Sequence, residues 1–336
     1  MTDIIITKTT LGDKNRPLKY LQNINFDLGP YSIEQASHLL AGEFRGQIEY
    51  QNGEYFDNQP EQIPYKKEIV PWGNNCITRY VIKEIDFIKW WNNVINNTVE
   101  IDINDYIFTL KFALSSYIKN HHSGIGMAGQ ARDLNQKLSN DIAGKLAEIA
   151  FIKYAHSKFN THLIADFKLW DGSVQENDYQ FDIRKINGAE INPNYAIEIK
   201  STKLKSSIQD VRNSENFCCL IQVKLSLPEM HLLYFLNALS VLDKCANECY
   251  SVNSDILKTD YTECEKTYNK YLSKCFEWKN IPAYISGLKY REDLFLIENG
   301  VLPCVEENVT NRLFTFSTLL DNSPESFKAL FKKACS

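Results

Sequence analysis

The stretch Tyr195-Ala196-Ile197-Glu198-Ile199-Lys200-Ser201-Thr202 decides how the chain is read. As a strand with a side-chain period of two, it sends Tyr195, Ile197 and Ile199 to one side and Glu198, Lys200 and Thr202 to the other. The same period applied to Phe181-Asp182-Ile183 puts Phe181 and Ile183 on a core face and Asp182 opposite them. If the two strands pair, Asp182, Glu198 and Lys200 converge on one polar patch. Two carboxylates there can hold a hard divalent cation such as Mg²⁺, which takes oxygen ligands and keeps several waters. A neighbouring ammonium can orient or help deprotonate a water, or stabilise charge on a phosphate under attack. An acid two residues before a lysine also occurs at Asp166-Phe167-Lys168 and Glu277-Trp278-Lys279. Only Glu198-Ile199-Lys200 follows a strand with an aspartate in the same facing sense. By itself, the pattern also describes the solvated face of an edge hairpin.

The surrounding segments supply the context. Ser139-Asn140-Asp141 can cap a helix over 142–155, with Ile142, Leu146, Ile149 and Ile152 or the Lys153 carbons on its buried face. Strand-like segments follow at 161–170, 179–186 and 195–202. Asp171-Gly172 and the stretch from Asn187-Gly188 to Pro193-Asn194 separate them as turn signals, which predicts an antiparallel meander. A polar crossover over 203–216 leads to an apolar fourth strand, 217–226, expected to lie parallel to an earlier one. Gly144 sits mid-helix, where glycine costs about 1 kcal/mol relative to alanine, and predicts close approach of another backbone. Glu148 lies one turn on, on the same face, and can bring a third carboxylate to the patch. The alternative for Glu148 is a surface pair with Lys145 or Lys153.

This order of elements resembles the PD-(D/E)XK nuclease superfamily over residues 139–226, and the type II restriction endonucleases within it. The resemblance implies an α/β (α+β) restriction-endonuclease-like core, a mixed sheet flanked by helices. It implies that Asp182 and Glu198 bind the metal with the Ile199 carbonyl, that Lys200 is the catalytic lysine, and that Glu148 is the helix glutamate. Phe181 stands where the motif's nominal proline would be. The implied reaction is Mg²⁺-dependent hydrolysis of double-stranded DNA, with a metal-activated water attacking in line. A homodimer and a cognate DNA methyltransferase as genetic partner are implied with it. Arg132, Lys203 and Lys205 are candidate DNA contacts. Residues 1–138 form an expected N-terminal mixed or helical region for recognition and packing. Residues 227–336 form a mainly helical region for recognition or dimerisation. The rivals are a repair, recombination or defence nuclease of the same superfamily, and a non-catalytic DNA-binding protein on a nuclease-like fold.

Composition narrows the field. The 336 residues carry a net charge of −5, which disfavours a non-specific nucleic-acid coat protein but leaves room for a local basic groove. No long apolar run or signal peptide is visible, so a cytoplasmic protein with no membrane association is expected. Nine scattered cysteines predict reduced, buried thiols. Cys245 and Cys249 lack the second close pair that a zinc module needs. A short helix is expected from Ser32, its N-cap, to Gly42, its stop, and packing helices over 81–95 and 107–118. Gly124-Ile125-Gly126-Met127-Ala128-Gly129 fits a dinucleotide pattern but follows a helical segment rather than a strand. The histidines are too isolated to argue a Ser-His-Asp or Cys-His site.

Overall fold

The computed structural model describes residues 3–7, 21, 26–52, 62–73, 75–123, 134–169, 182–242, 244, 267, 270, 277–304 and 307–336. In chain order the strands are β1 (Ile4–Thr7), β2 (Lys66–Trp72), β3 (Asn75–Ile82), β4 (Thr98–Ile101), β5 (Leu163–Ala165), β6 (Ile183–Ile186), β7 (Ala189–Glu190), β8 (Ile197–Lys203), β9 (Ile208–Arg212), β10 (Cys219–Leu225), β11 (Ile281–Tyr290), β12 (Phe295–Leu302) and β13 (Glu307–Phe316). The helices are α1 (Ile33–Asn52), α2 (Glu84–Asn96), α3 (Ile103–Ser123), α4 (Leu134–Phe159), α5 (His231–Ala238) and α6 (Pro324–Ala334). The chain is a mixed α/β protein. Its central sheet has the order β4-β11-β10-β8, with β8 and β10 parallel and the other pairs antiparallel.

Helix α4 covers one face of that sheet. Ile142, Leu146, Ala147, Ala150, Phe151 and Tyr154 are buried at helical spacing against Ile197, Ile199, Ile221 and Val223. Ile149 and Ile152, expected at the centre of the buried face, are only partly buried. The buried face turns toward Phe151 and Tyr154 because α6 packs there through Phe327 and Phe331.

The expected single meander is two sheets. β6 is the middle strand of its own sheet, paired with β5 on one edge and β7 on the other. Neither edge is left for β8. The cause is local: Asn187 (φ 50°) and Gly188 (φ 85°) form a tight two-residue hairpin that folds β7 back on β6. A 3-10 turn at Pro193–Tyr195 then redirects the chain into the central sheet. The first strand-like segment shrinks to β5. The parallel pairing of 217–226 with an earlier strand holds, with Glu198 beside Leu220 and Lys200 beside Gln222. The 203–216 crossover is not merely polar, since it contains β9, which pairs with β13. The described part of 227–336 carries three strands of eight to ten residues rather than mainly helix.

The Ser32 cap holds, as a reciprocal pair: Gln35 N–H donates to Ser32 Oγ at 3.2 Å and Ser32 N–H to Gln35 Oε1 at 2.8 Å. Gly42, however, does not stop the helix. A Cβ at Gly42 would lie 2.7 Å from the Lys205 carbonyl carbon, and one at Gly46 would lie 2.8 Å from the Ser207 oxygen. These glycines let the chain leaving β8 lie directly on α1. At the same contact Lys224 of β10, fully buried, places Nζ 2.6 Å from Glu43 of α1 and donates to the Ser206 carbonyl at 2.5 Å. Gly144 shows the reverse of what its position predicts, because a Cβ there would meet nothing within 4 Å. Among the described residues no helix is long and apolar enough to cross a membrane.

Removing one partner of a buried ion pair strands a charge, so Lys224→Met is predicted to cost about 3–5 kcal/mol in denaturant unfolding. The double variant Lys224→Met/Glu43→Leu is predicted to recover most of that loss. A single variant as stable as the parent would show that water reaches the pair.

Candidate active site

β8 is the terminal strand of the central sheet, so its outer edge offers unpaired backbone groups. Asp182 closes that edge. The Ile199 N–H donates to Asp182 Oδ2 at 2.6 Å. Asp182 stands immediately before β6, and its own carbonyl accepts from Asp166 N–H at 3.0 Å. The two elements expected to pair by a backbone ladder are therefore joined through one carboxylate. An extended residue projects its N–H and C=O to the same side, which sends the Ile199 carbonyl toward Asp182 as well.

Glu198 and Lys200 share the β8 face turned away from α4, as the period of two predicts. Their ion pair is direct, and Lys200 Nζ also lies 3.0 Å from Glu215 Oε2. Glu148 approaches from α4 and is 4% exposed. Lys145 Nζ holds both its carboxylate oxygens, at 2.8 and 2.9 Å, and donates to the Asp166 carbonyl at 2.8 Å. The same ammonium lies about 5 Å over the Phe112 and Phe167 rings, at 5.1 and 5.0 Å. Glu148 is therefore not the surface residue of the alternative reading: it is buried, it pairs with Lys145 while Lys153 pairs with Asp102 and Asp105, and it bears on Asp182 and Glu198.

The electrostatics follow from an excess of acid. Burial raises the Glu148 carboxyl well above the ordinary range, and the nearby Asp182 adds to it. Burial also raises Asp182, against the opposing effect of the Ile199 hydrogen bond. Glu198 is pushed up to about 7, by burial first and then by Asp182. Burial alone would lower Lys200, but Glu198 and Glu215 outweigh it and hold the ammonium above its usual value. Four carboxylates facing two ammonium groups share too few counter-charges. Protons, or a cation, must supply the rest.

Asp182, Glu198, Ile199, Lys200 and Glu148 are therefore brought together. Lys203 and Lys205 are not. Lys203 lies on the other face of β8 and pairs at the surface with Glu229, at 3.4 Å. It lines a groove of about 530 Å³ with Gln136, Ser139 and Ala143 of α4. Lys205 lies over α1, where its charge helps to lower the pKa of His38 behind the larger effect of burial. Strand alternation thus turns Lys203 away from Lys200, and Lys205 is carried onto α1 by the turn that follows β8. Arg132, the 124–129 glycine pattern, Phe181, Cys245, Cys249, Cys264 and Cys275 lie outside the described residues. The described cysteines are free, with Cys219 buried but Cys76 and Cys335 exposed, contrary to uniformly buried thiols. His231 is not isolated: its Nδ1 is 2.5 Å from the Tyr106 hydroxyl and its Nε2 is 3.2 Å from Ser139 Oγ.

Sequence reasoning missed Glu215, which lies in the turn between β9 and β10, and it did not place Lys145 in the site. Lys145 had a visible signal in its spacing of three from Glu148. Glu215 had none. Among the described residues no group of three or more histidine, cysteine or acidic side chains is spaced to hold a metal ion by itself. No protein-family model, curated protein or solved structure matches the chain.

Glu198 binds its proton more tightly when folded than when unfolded, so its stabilising contribution is present below about pH 4.5 and is lost as pH rises through about 7. Metal-free protein is predicted to lose on the order of 1–3 kcal/mol across that window. Thermal melts against pH check this, and Glu198→Gln is predicted to flatten the slope.

Proposed function

We propose that the chain is a divalent-cation-dependent nuclease acting on double-stranded DNA, with type II restriction cleavage as its activity and a homodimer as its working form. The observation that carries the reading is the meeting of Asp182, Glu198, Glu148 and Lys200 beside the outer edge of β8, from three separate elements. A cluster of desolvated carboxylates with raised pKa values beside an ammonium is costly for folding and suits chemistry. The same proposal takes residues 139–226 as a restriction-endonuclease-like core. A cognate methyltransferase is its genetic partner.

The donor set fits Mg²⁺: Asp182, Glu198 and the Ile199 carbonyl supply only oxygen, and a few protein ligands completed by water are what this ion accepts. Bound there, the cation would supply Lewis acidity to a phosphoryl oxygen and lower the pKa of a water. The chain's own groups do the rest. Asp182 is held in place by the Ile199 N–H. Glu198 gives up its proton near neutral pH when a cation competes for it. Lys200 presents a fixed positive charge to the phosphate. Lys145 neutralises Glu148, which keeps the field around the site from becoming too negative for a polyanion.

The test is incubation with a large unmethylated duplex DNA, with Mg²⁺ or with EDTA, beside Glu198→Ala and Lys200→Ala. Discrete fragments that require Mg²⁺ are expected, with both variants slowed by about 10²-fold or more. Calorimetric titration of the DNA-free protein is expected to show Mg²⁺ affinity that rises as pH passes about 7 and falls in Glu198→Ala. A Mg²⁺-dependent smear would point to a nuclease that does not read sequence, and absence of cleavage to a DNA-binding protein on this fold.

A further inference from the structure

We propose that Glu215 is the positioning residue for Lys200, holding its ammonium in place when Glu198 is engaged elsewhere; the inference rests on the nuclease reading of this site. Lys200 divides its ammonium between Glu198 and Glu215, the latter at 3.0 Å. The two carboxylates are not equivalent. Glu198 shares a strand face with Lys200 and is the residue expected to turn to a cation. Once it does, a lysine on a flexible four-carbon stem loses its direct partner and gains a positive neighbour. Only a second, independently held carboxylate keeps the ammonium at the site instead of releasing it to solvent.

The chain around Glu215 is built to be such a holder. Glu215 lies in the turn between β9 and β10, with its side chain 31% exposed. Its N–H donates to the Arg212 carbonyl at 3.1 Å. The Arg291 guanidinium grips the turn from the other side, donating to the carbonyls of Glu215 and Asn213 and to Asn213 Oδ1. That guanidinium is itself set over the Phe217 ring, 4.8 Å from its centroid, and Arg291 N–H donates to the Cys218 carbonyl at 2.9 Å. Asn213 is tied in addition to Asn311, by N–H to carbonyl at 3.1 Å and by amide to amide at 2.9 Å. A three-residue surface turn so heavily fastened needs a reason, and the side chain it aims at Lys200 supplies one. Glu215 also bears on Glu198 and Asp182 electrostatically, which places it inside the field of the cluster.

The geometry distinguishes this role from two others. A general surface charge at 215 would repel DNA, so its removal would lower KM and leave kcat alone. A purely structural residue would lower the melting temperature. A positioning residue changes kcat.

The experiment compares wild type, Glu215→Gln, Glu215→Asp and Glu198→Ala in Mg²⁺-dependent cleavage of a large unmethylated duplex, with melting temperatures and Mg²⁺ calorimetry on the DNA-free proteins. For Glu215→Gln the expected result is a fall in kcat of about tenfold to a hundredfold, with KM unchanged or lower and melting unchanged. Its Mg²⁺ affinity is expected to fall, because Lys200 then sits wholly on Glu198. Glu215→Asp, which keeps the charge, is expected to recover part of kcat. An active wild type with Glu215→Gln at full kcat overturns the positioning role and leaves the nuclease reading intact. A wild type with no Mg²⁺-dependent cleavage, matching Glu198→Ala, overturns the reading and this role with it.

Discussion

A strand at the end of a sheet must do something with its free edge. In this protein the edge of β8 is answered by a single carboxylate, Asp182, which accepts the Ile199 N–H at 2.6 Å. That bond joins two sheets that share no ladder. It adds to the shared core, in which Leu163, Ala165, Ile183 and Ile186 pack with the central sheet, and it holds Asp182 at the edge of β8. A neutral backbone ladder at the same place would have satisfied β8 and buried the edge. The carboxylate satisfies the strand and places a charge beside it. The remaining site groups, Glu148 with Lys145 on α4 and Glu198 with Lys200 on β8, gather around that carboxylate.

The other end of β8 is fixed by opposite means. The chain that leaves it lies on α1 at Gly42 and Gly46, without intervening side chains, and Lys224 buries its charge against Glu43 of the same helix. Close backbone contact and a desolvated ion pair tolerate little displacement, the first for steric reasons and the second because separating the charges is expensive. A strand pinned there can carry a crowded acid cluster along its length. The crossover then runs through β9 into the β12-β13-β9 sheet and returns over Phe217 to β10. This route carries the 213–215 turn back beside Lys200.

Charge balance gives the site its character. Lys145 and Lys200 do not neutralise Glu148, Asp182, Glu198 and Glu215, and burial adds to the imbalance. A stabilising change would be simple: replacing Glu198 by its amide would relieve part of it. The cluster is a local cost in stability, of the kind that proteins carry where a proton or cation is to be bound.

The sequence by itself determined the local facts. The period of two around Ile199 assigned Glu198 and Lys200 to one face, the mid-chain apolar run marked β10 as a parallel buried strand, and Asn187-Gly188 marked a turn. Ser32 marked the start of α1. These are properties of adjacent residues, and steric and hydrogen-bonding rules act on them directly. The grouping of strands into sheets was decided only by the tertiary structure, because the two edges of β6 were claimed by β5 and β7 before β8 could compete. The same holds for Gly42, which reads as a helix stop until the 204–207 segment is seen against it, and for Gly144, which faces open space. Glu215 and Arg291 became legible only in the fold. The Glu215–Lys200 contact spans fifteen residues and the Arg291 grip on the turn seventy-six or more, and no local periodicity encodes a contact between a turn and a strand of another sheet.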